Sequence, residues 1–520
     1  MKKNLSKIKI IVFGIIMVLL WTNLENIVQA PKDNDWDTNV SKKIKSNRDF
    51  YDVLFVGTSM AVTNINVEEL YLKYGIASLS LGKPQQMTFL SYFSLQDALK
   101  FQNPKVVFFD VQSLFYTEET QKQWIAESAD YVAHYTTDDI ISPKIKYDAY
   151  KQLKELSDQS KVWDYFSVMF HNHSNWENLN KKNFRYIPGK DLILGSRSLI
   201  GCYENATQKE YVSIEDNTND KDEIPEINKK YLKKMVDLCK ENNIDLILVR
   251  SCGSLYWSWA QYNSVQELAN KWGVEYLDLA IKENEIQFDW KTDSYDGNHH
   301  NLLGARKWTN YLGKYLLKNY EFSDRRKEKK YNVYENARYK YEDILNAMQS
   351  KYDLLNAVNL NQYLDTLLNM EKKDSAIFIS VNTDASTNFS IQNSKLFNSL
   401  GLNTDLKEKY GYSYCAVLDD GKNVIEQCGK EKIELSGALL DDTPFELTSS
   451  GLMAGQNASI KINGIEQIQN GQGINIVVYN KKVEEILSSV YFDTYEEENP
   501  ITARMLDGVR QNEVGVNIWK

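Results

Sequence analysis

Residues 52–60 read DVLFVGTSM, a short apolar run that ends in Gly-Thr-Ser. A continuous apolar stretch of this length, followed at once by a turn residue, is typical of a strand buried in a parallel sheet. Gly57 permits a tight turn after the strand, and Ser59 follows at the entrance to the next helix. Open α/β sheets place their sites beyond the carboxyl ends of the strands. The stretch therefore predicts that the Ser59 hydroxyl lies at such an edge.

Strands and helices alternate from this stretch to about residue 320. Strands are predicted at Asp52–Val56, Ile76–Leu81, Lys105–Val111, Asp245–Arg250 and Val274–Leu279. Helical stretches are predicted at Val67–Tyr74, at Met87–Phe101, after Pro225 and at Ser264–Trp272. Short apolar runs separated by helices predict an α/β fold, with a parallel sheet that is covered by helices on both faces. A segment from about residue 113 to 223 interrupts this order.

A second group of polar residues precedes the last helix of this region. Residues 296–306 read DGNHHNLLGAR, which places Asp296 three residues before His299 in a loop that enters a helix. A serine hydroxyl becomes a good nucleophile when a histidine takes its proton, and a carboxylate can orient that histidine. The sequence therefore predicts Ser59, His299 and Asp296 as a catalytic set. The adjacent His300 is the alternative base, and an inactive fold is the competing interpretation.

Ser59 after the first strand, combined with Asp296-x-x-His299 before the last helix, resembles the SGNH/GDSL hydrolase superfamily over residues 45–322. The resemblance implies a flavodoxin-like three-layer domain. It also implies roles for these residues: Ser59 as the nucleophile, His299 as the base and Asp296 as the partner of the base.

The same resemblance implies donors for an oxyanion after the second and third strands. Gly82 matches the glycine of the superfamily after the second strand. The superfamily has Gly-x-Asn-Asp after the third strand, where this chain has Asp110-Val111-Gln112-Ser113, so Gln112 is the candidate substitute for the asparagine donor. Neither the resemblance nor the spacing of cysteines and histidines predicts a metal ion or a cofactor.

The Asp-x-x-His-x-Asn-x-x-Gly-Ala form of the motif resembles DltD-like and alginate-acetylation-like branches of the superfamily, which modify cell-envelope polymers. Such proteins often work beside a membrane-bound O-acyltransferase. The resemblance implies a serine acyltransferase that O-acetylates a cell-surface or secreted polysaccharide and receives its acyl group from such a membrane partner. One alternative is an esterase, or deacetylase, that uses the same residues with water. The other is a non-catalytic, glycan-binding protein of envelope assembly.

The first thirty residues carry a targeting pattern. Lysines at positions 2, 3, 7 and 9 precede an apolar run from Ile10 to Trp21. A basic start followed by a short apolar stretch is typical of a secretory signal peptide or an uncleaved signal anchor. We therefore expect residues 1–30 to place the rest of the chain on the extracytoplasmic face of the membrane, or outside the cell if they are cleaved. The net charge of −10 argues against nucleic acid as a partner.

The chain changes character after residue 322. Residues 323–358 are predicted as a helical linker, because apolar residues recur there at three- and four-residue steps. Residues 359–520 are rich in strand and turn signals. Their motifs, among them Gly471–Tyr479 and Phe492–Tyr495, resemble the interleukin-like EMT-inducer domain. The resemblance implies glycan binding or protein contact, and a structural cap is the alternative.

Five cysteines are too few for a disulfide scaffold in a chain of 520 residues. Cys415 and Cys428 lie on either side of a predicted turn at residues 419–423. They are candidates for a disulfide across a hairpin in an oxidising compartment.

Overall fold

The computed structural model describes residues 39–46, 48–127, 142–156, 217–251, 257–279, 281–495 and 503–505, together with scattered positions before residue 39 and between 140 and 201. The chain divides into two compact units. The first comprises Met1–Leu199 and Asn205–Ala337, and the second comprises Ile200–Glu204 and Arg338–Lys520.

The first unit contains a five-stranded parallel sheet in the order β2-β1-β3-β4-β5. Its strands are β1 Val53–Val56, β2 Ser78–Ser80, β3 Val106–Asp110, β4 Asp245–Arg250 and β5 Glu275–Asp278. This strand order is the flavodoxin-like one. The predicted α/β fold is therefore confirmed, and each strand lies within one residue or two of its expected position.

Helices cover the sheet of the first unit. They are α1 Asn39–Ser46, α2 Ser59–Thr63, α3 Val67–Tyr74, α4 Thr88–Ala98, α5 Glu118–Glu127, α6 Pro143–Leu156, α7 Glu226–Glu241, α8 Trp259–Trp272, α9 Glu283–Ile286, α10 Trp290–Asp293 and α11 Leu302–Asn319. Helix α3 packs against α11, whereas α4 packs against α6 and α7. The connection from β1 to β2 and the connection from β2 to β3 run in opposite directions across the sheet. Right-handed crossovers therefore put α3 and α4 on opposite faces.

Helix α8 begins earlier than its apolar pattern predicts. Ser258 accepts a hydrogen bond from Gln261 N, and the Gln261 side chain accepts one from Ser258 N, which makes a capping box. The first turn of the helix buries Trp259. The local cap, rather than the apolar periodicity, therefore sets the start of this helix.

The stretch predicted as a linker contains helix α12, Asn332–Leu355. The boundary between the two units falls within this helix, between Ala337 and Arg338. On the side of the first unit, Tyr334 is fully buried and its hydroxyl donates to Ser78 O at 2.6 Å. The beginning of this stretch is thus packed into the first unit.

The second unit has a ten-stranded sheet among its described residues. The strands are β6 Ser375–Thr383, β7 Ser413–Asp419, β8 Asn423–Gly429, β9 Ile433–Ala438, β10 Pro444–Gly451, β11 Asn457–Ile462, β12 Ile465–Glu466, β13 Gly473–Asn480, β14 Glu485–Phe492 and β15 Ala503–Met505. Two helices accompany them, α13 Leu360–Asn369 and α14 Ile391–Leu400. Every strand pair is antiparallel except β6–β10. The predicted mainly-β mixed domain is therefore confirmed.

Strand β6 separates two apolar cores in this unit. Ile377, Ile379 and Val381 contribute to one core, and Ala376 and Phe378 contribute to the other. Successive side chains of a strand point to opposite faces, so a wholly buried strand supplies both cores at once. This also explains why β6 reads as a nearly continuous apolar run.

The candidate disulfide between Cys415 and Cys428 does not form in this structure. The predicted hairpin does form, between β7 and β8, but its register pairs Cys415 with Gln427 and Tyr414 with Cys428. The two cysteines are offset by one residue and point to opposite faces of the sheet. Cys415 is accordingly buried and Cys428 exposed, both as free thiols.

Several features predicted from the sequence lie outside the described residues. Most of residues 1–30, which carry the targeting pattern, belong to this group, as does most of the segment from about residue 113 to 223 beyond Glu127. Among the helices in the described part of the chain, none is both long and apolar enough to cross a bilayer.

A carboxylate organises one loop of the second unit. Asp384 is fully buried. It accepts hydrogen bonds from the N–H groups of Gly411 at 2.7 Å, Thr387 at 2.9 Å and Ser386 at 3.1 Å. Burial by itself raises the pKa of Asp384, but these donors outweigh it and hold the pKa below its usual value.

We expect Asp384→Asn to lower the free energy of unfolding of the second unit by about 1–3 kcal/mol at neutral pH. The folded-state pKa lies below that of the unfolded chain, so the contribution of the carboxylate is present at neutral pH and is lost as the pH falls through the folded-state pKa. Hydrogen exchange around residues 384–388 should therefore differ between wild type and variant at pH 7 and converge in acid. Exposed Asp365→Asn is the control. Equal protection at pH 7 would refute the role of Asp384.

Candidate active site

The turn after β1 fits closely against the end of β3. Gly57 has φ +142°, a conformation that L side chains rarely adopt, and a Cβ at this position would lie 2.6 Å from Asp110 Cβ. Thr58 follows as the N-cap of α2, and its hydroxyl accepts from Met60 N at 3.3 Å. This combination places Ser59 at the first position of a helix, directly beyond the carboxyl end of the strand.

Asp110 fastens this turn from the neighbouring strand. Its Oδ2 accepts hydrogen bonds from Thr58 N at 3.1 Å and from the Thr58 hydroxyl, while its Oδ1 accepts from Gln112 N at 3.3 Å. Asp110 is buried, and burial raises the pKa of its carboxyl although the Thr58 hydrogen bonds oppose the change. Sequence analysis did not assign this residue a role. The only indication of this role in the sequence was an aspartate at the carboxyl end of an otherwise apolar strand.

The second half of the site is a tight loop before α11. Ser294 and His300 form an isolated antiparallel bridge, and Tyr295 N donates to His299 O at 2.8 Å. Gly297 turns the loop with φ +86°, and its N–H donates to the Ser294 hydroxyl at 2.7 Å. The loop is closed on itself, so its side chains are held in place before any substrate binds.

The structure brings Ser59, His299 and Asp296 together. His299 Nε2 lies 2.8 Å from Ser59 Oγ, across 240 residues of sequence, and His299 Nδ1 lies 2.7 Å from Asp296 Oδ2. The other oxygen of Asp296 accepts from His299 N at 2.7 Å and from Asn298 N at 2.9 Å. Ser59 and His299 are each 7% exposed. The three side chains therefore form one continuous row of hydrogen-bonding contacts.

The contacts of Asp296 keep it ionised. Its burial raises the pKa, but the hydrogen bonds from the ring and the backbone of His299 outweigh this and bring the pKa below its ordinary value. A carboxylate in this position favours the imidazole tautomer with the proton on Nδ1. His299 Nε2 is then the acceptor that faces the Ser59 hydroxyl.

The neighbouring His300 has a different environment. It is fully buried, and its ring lies 4.7 Å from the ring of Phe288 and 6.3 Å from that of Trp308. Its backbone N–H donates to Asn64 Oδ1 at 2.9 Å. His299, which the spacing favoured, is thus the histidine beside Ser59, and His300 packs behind the loop.

Asn64 joins the two halves of the site. Besides accepting from His300 N, it donates through Nδ2 to the Ser251 hydroxyl at 2.7 Å, and Ser251 directly follows β4. Asn64 is also the C-cap of α2, the helix that Ser59 begins. This role was not predicted, because a single asparagine at a helix end is too common to indicate a function.

Gly82 lies against the nucleophile turn. A Cβ there would be 2.7 Å from Ala61 Cβ and 2.9 Å from Thr58 O, so only glycine fits without a shift. Its N–H donates to the Ser80 hydroxyl at 3.2 Å, a long hydrogen bond. Ser59 is the first residue of α2. The backbone N–H groups in the first turn of a helix have no acceptor within the helix.

Gln112 has one end of its amide held. Its Oε1 accepts from Arg250 Nη1 at 3.3 Å, which leaves Nε2 as the other, donating end of the amide.

Two tryptophans near this edge of the sheet are buried. Arg250 stacks on the ring of Trp257, and Trp259 follows two residues later. The structure thus gives these tryptophans packing roles. Among the described residues, no group of three or more His, Cys, Asp or Glu is arranged to hold a metal ion.

Comparisons with known proteins find likenesses among solved structures alone. No protein-family model and no curated protein matches the chain. A putative acylhydrolase from Bacteroides fragilis is 12% identical, with 55% of this chain and 99% of that chain covered and a TM-score of 0.26. A GDSL-like lipase from Bacteroides thetaiotaomicron is 10% identical, with 54% and 98% covered and a TM-score of 0.26. A gut microbial diltiazem-metabolizing enzyme is 14% identical, with 54% and 48% covered and a TM-score of 0.19. The fold class follows from the strand order of the first unit.

We expect Gly57→Ala to destabilise the first unit by about 2 kcal/mol or more, since it combines a disfavoured φ with a clash against Asp110. Gly455→Ala is the matched control, because Gly455 has φ +114° but no atom within 4 Å of the added Cβ. The free energy of unfolding of each unit, followed by hydrogen exchange in urea, measures the difference. Equal losses in the two variants would show that the contact with Asp110 contributes nothing.

Proposed function

We propose that this protein is an acyl-ester enzyme of the SGNH/GDSL type that works through an acyl group on Ser59. The observation that carries the proposal is the unbroken row of contacts from Asp296 through His299 to Ser59 Oγ. The flavodoxin-like strand order and the position of Ser59 at the carboxyl end of β1 support it.

In the first half-reaction, Ser59 Oγ attacks the ester carbonyl while His299 Nε2 takes the hydroxyl proton. Asp296 stabilises the resulting imidazolium through its hydrogen bond with Nδ1. The proton then passes from His299 to the leaving alkoxide, and the acyl group stays on Ser59. In the second half-reaction, an incoming hydroxyl gives its proton to His299 as its oxygen attacks the acyl carbonyl. The bond between the acyl group and Ser59 Oγ then breaks, and the proton passes from His299 to Ser59 Oγ, which restores the free enzyme.

Negative charge develops on the carbonyl oxygen in both half-reactions. We assign its stabilisation to the N–H groups of Ser59 and Gly82 and to Gln112 Nε2. The Gly82 N–H would exchange its long hydrogen bond with Ser80 for one to the oxyanion. The contact of Gln112 Oε1 with Arg250 supports the assignment of Nε2 as a donor.

The acceptor hydroxyl in this proposal belongs to a cell-surface or secreted polysaccharide, and the acyl group is acetyl. Support comes from the motif resemblance and from the targeting pattern of residues 1–30, which would hold the enzyme at the extracytoplasmic face of the membrane. A membrane-bound O-acyltransferase is the proposed donor partner. The C-terminal domain predicted at residues 359–520 would bind the polymer and raise its effective concentration for the reaction.

Hydrolysis is the second candidate, because the same three residues can pass the acyl group to water. Which acceptor reacts depends on how well the closed site excludes water. A product analysis separates these activities. Residues 35–520 would be mixed with p-nitrophenyl acetate and neutral or acidic oligosaccharides, and the acetylated sugars and free acetate quantified by mass spectrometry.

We expect the wild-type protein to form acetylated oligosaccharide, and Ser59→Ala to form none while remaining folded. Ser399→Ala, which alters an exposed serine of α14, is the control and should behave as wild type. Free acetate without acetylated sugar would contradict transfer and support the esterase. If folded protein released no product from any ester, the enzyme proposal would fail in favour of a binding role.

A further inference from the structure

Arg250 is a buried cation at the carboxyl edge of the sheet, where only strand β3 separates its strand from the one that leads into the Ser59 turn. It is the last residue of β4 and only 1% exposed. The residue before it, Val249, pairs with Asp110 in the parallel register between β3 and β4. Asp110 in turn binds Thr58. The guanidinium therefore belongs to the same edge as the nucleophile.

The hydrogen-bonding capacity of Arg250 is largely unused. Nη1 donates to Gln112 Oε1 at 3.3 Å, and Nε is buried without a hydrogen-bond partner. Within the part of the chain that the structure describes, no carboxylate forms an ion pair with this guanidinium. Asp110 is near enough to interact electrostatically, but its two oxygens accept from Thr58 and Gln112 instead. A guanidinium has five N–H donors, so most of them remain for a ligand.

The side chain is nevertheless held in a defined position. The guanidinium carbon lies 4.2 Å from the centroid of the Trp257 ring, and Trp257 itself is buried against Phe115. Stacking of this kind fixes the plane of the guanidinium. Burying a charge without an opposite charge is costly. A rigid, buried and unpaired cation is therefore better matched to an anionic ligand than to a structural role alone.

We propose that Arg250, together with Gln112, recognises a carboxylate of the substrate beside Ser59. The proposal rests on the proposed function and specifies its substrate class. A planar guanidinium with free donors on one edge can bind a carboxylate through two parallel hydrogen bonds. The carboxylate belongs either to the sugar, as in a uronic acid that carries the acetyl ester, or to the acyl group, which would then be a half-ester of a dicarboxylic acid in place of acetyl.

Two pairs of esters separate these sources. The acyl pair is mono-p-nitrophenyl succinate and p-nitrophenyl acetate. The sugar pair is the methyl glycosides of O-acetyl-glucuronic acid and O-acetyl-glucose. For each pair, the ratio of kcat/KM for the charged ester to that for the neutral ester is measured in the full chain, in Arg250→Gln and in Arg250→Lys.

We expect the charged-to-neutral ratio to fall about ten- to a hundredfold in Arg250→Gln for one of the two pairs, as for the loss of a charged hydrogen-bonded contact. Arg250→Lys keeps the charge but not the planar fork, so it should restore part of the ratio. Arg306→Gln is the control, because Arg306 binds Glu69 on the α3–α11 side, and its ratios should match wild type. An unchanged ratio in Arg250→Gln for both pairs would overturn the proposal.

Failure of the proposed function gives a different result. If wild-type protein turns over none of the four esters, carboxylate recognition is tested by binding of sodium succinate and methyl glucuronate to Ser59→Ala, followed by ligand-detected NMR. Binding that disappears in the Ser59→Ala, Arg250→Gln double variant supports the inference without catalysis. Absence of binding, or binding that survives the second substitution, contradicts it.

Discussion

The hydrogen bonds between Asp110 and Thr58 are the constraint on which the rest of the site depends. They join the end of β3 to the turn after β1, and this turn decides where the Ser59 hydroxyl points. The contact works because Gly57 has no side chain to keep the strands apart. A buried carboxylate that accepts several hydrogen bonds in this way fixes its donors more rigidly than a solvated one would.

Asn64 provides a second set of hydrogen bonds that holds the site together. Asn64 contacts both the loop that carries His299 and the residue that follows β4. The nucleophile helix, the histidine loop and the fourth strand are therefore coupled through one amide. Preorganisation of this kind matters for acyl transfer, because donors and acceptors that are already aligned need no reorganisation as charge develops.

The strands of the first unit could be predicted from the sequence because buried parallel strands read as continuous apolar runs. Ser59, Asp296 and His299 could be predicted because Ser59 follows the first strand, whereas Asp296 and His299 precede the last helix at a recognisable spacing. The roles of Asp110, Asn64 and Arg250 could not, since their partners are 52 to 236 residues away and depend on register and side-chain direction. Whether Cys415 and Cys428 pair also depends on register, because a one-residue offset in a hairpin reverses the face of a cysteine.

In the second unit, turn residues in the sequence were not enough to predict every strand and helix. Strands β10 and β14 and helices α13 and α14 had not been predicted, and β8 was expected only as the second strand of the hairpin that begins with β7. Strand β8 is mostly exposed, so its sequence lacks the apolar alternation that identifies a half-buried strand. Tertiary pairing with β7, rather than local preference, forms this strand.

The central claim is that His299, held by Asp296, activates Ser59. The most direct measurement is covalent labelling of residues 35–520 with a fluorophosphonate probe, with the labelled residue located by peptide mass spectrometry in wild type, Ser59→Ala, His299→Ala and His300→Asn. The account predicts label on Ser59 in wild type and in folded His300→Asn, and none in the other two. Undiminished labelling of Ser59 in His299→Ala, or label on another residue in wild type, would contradict it.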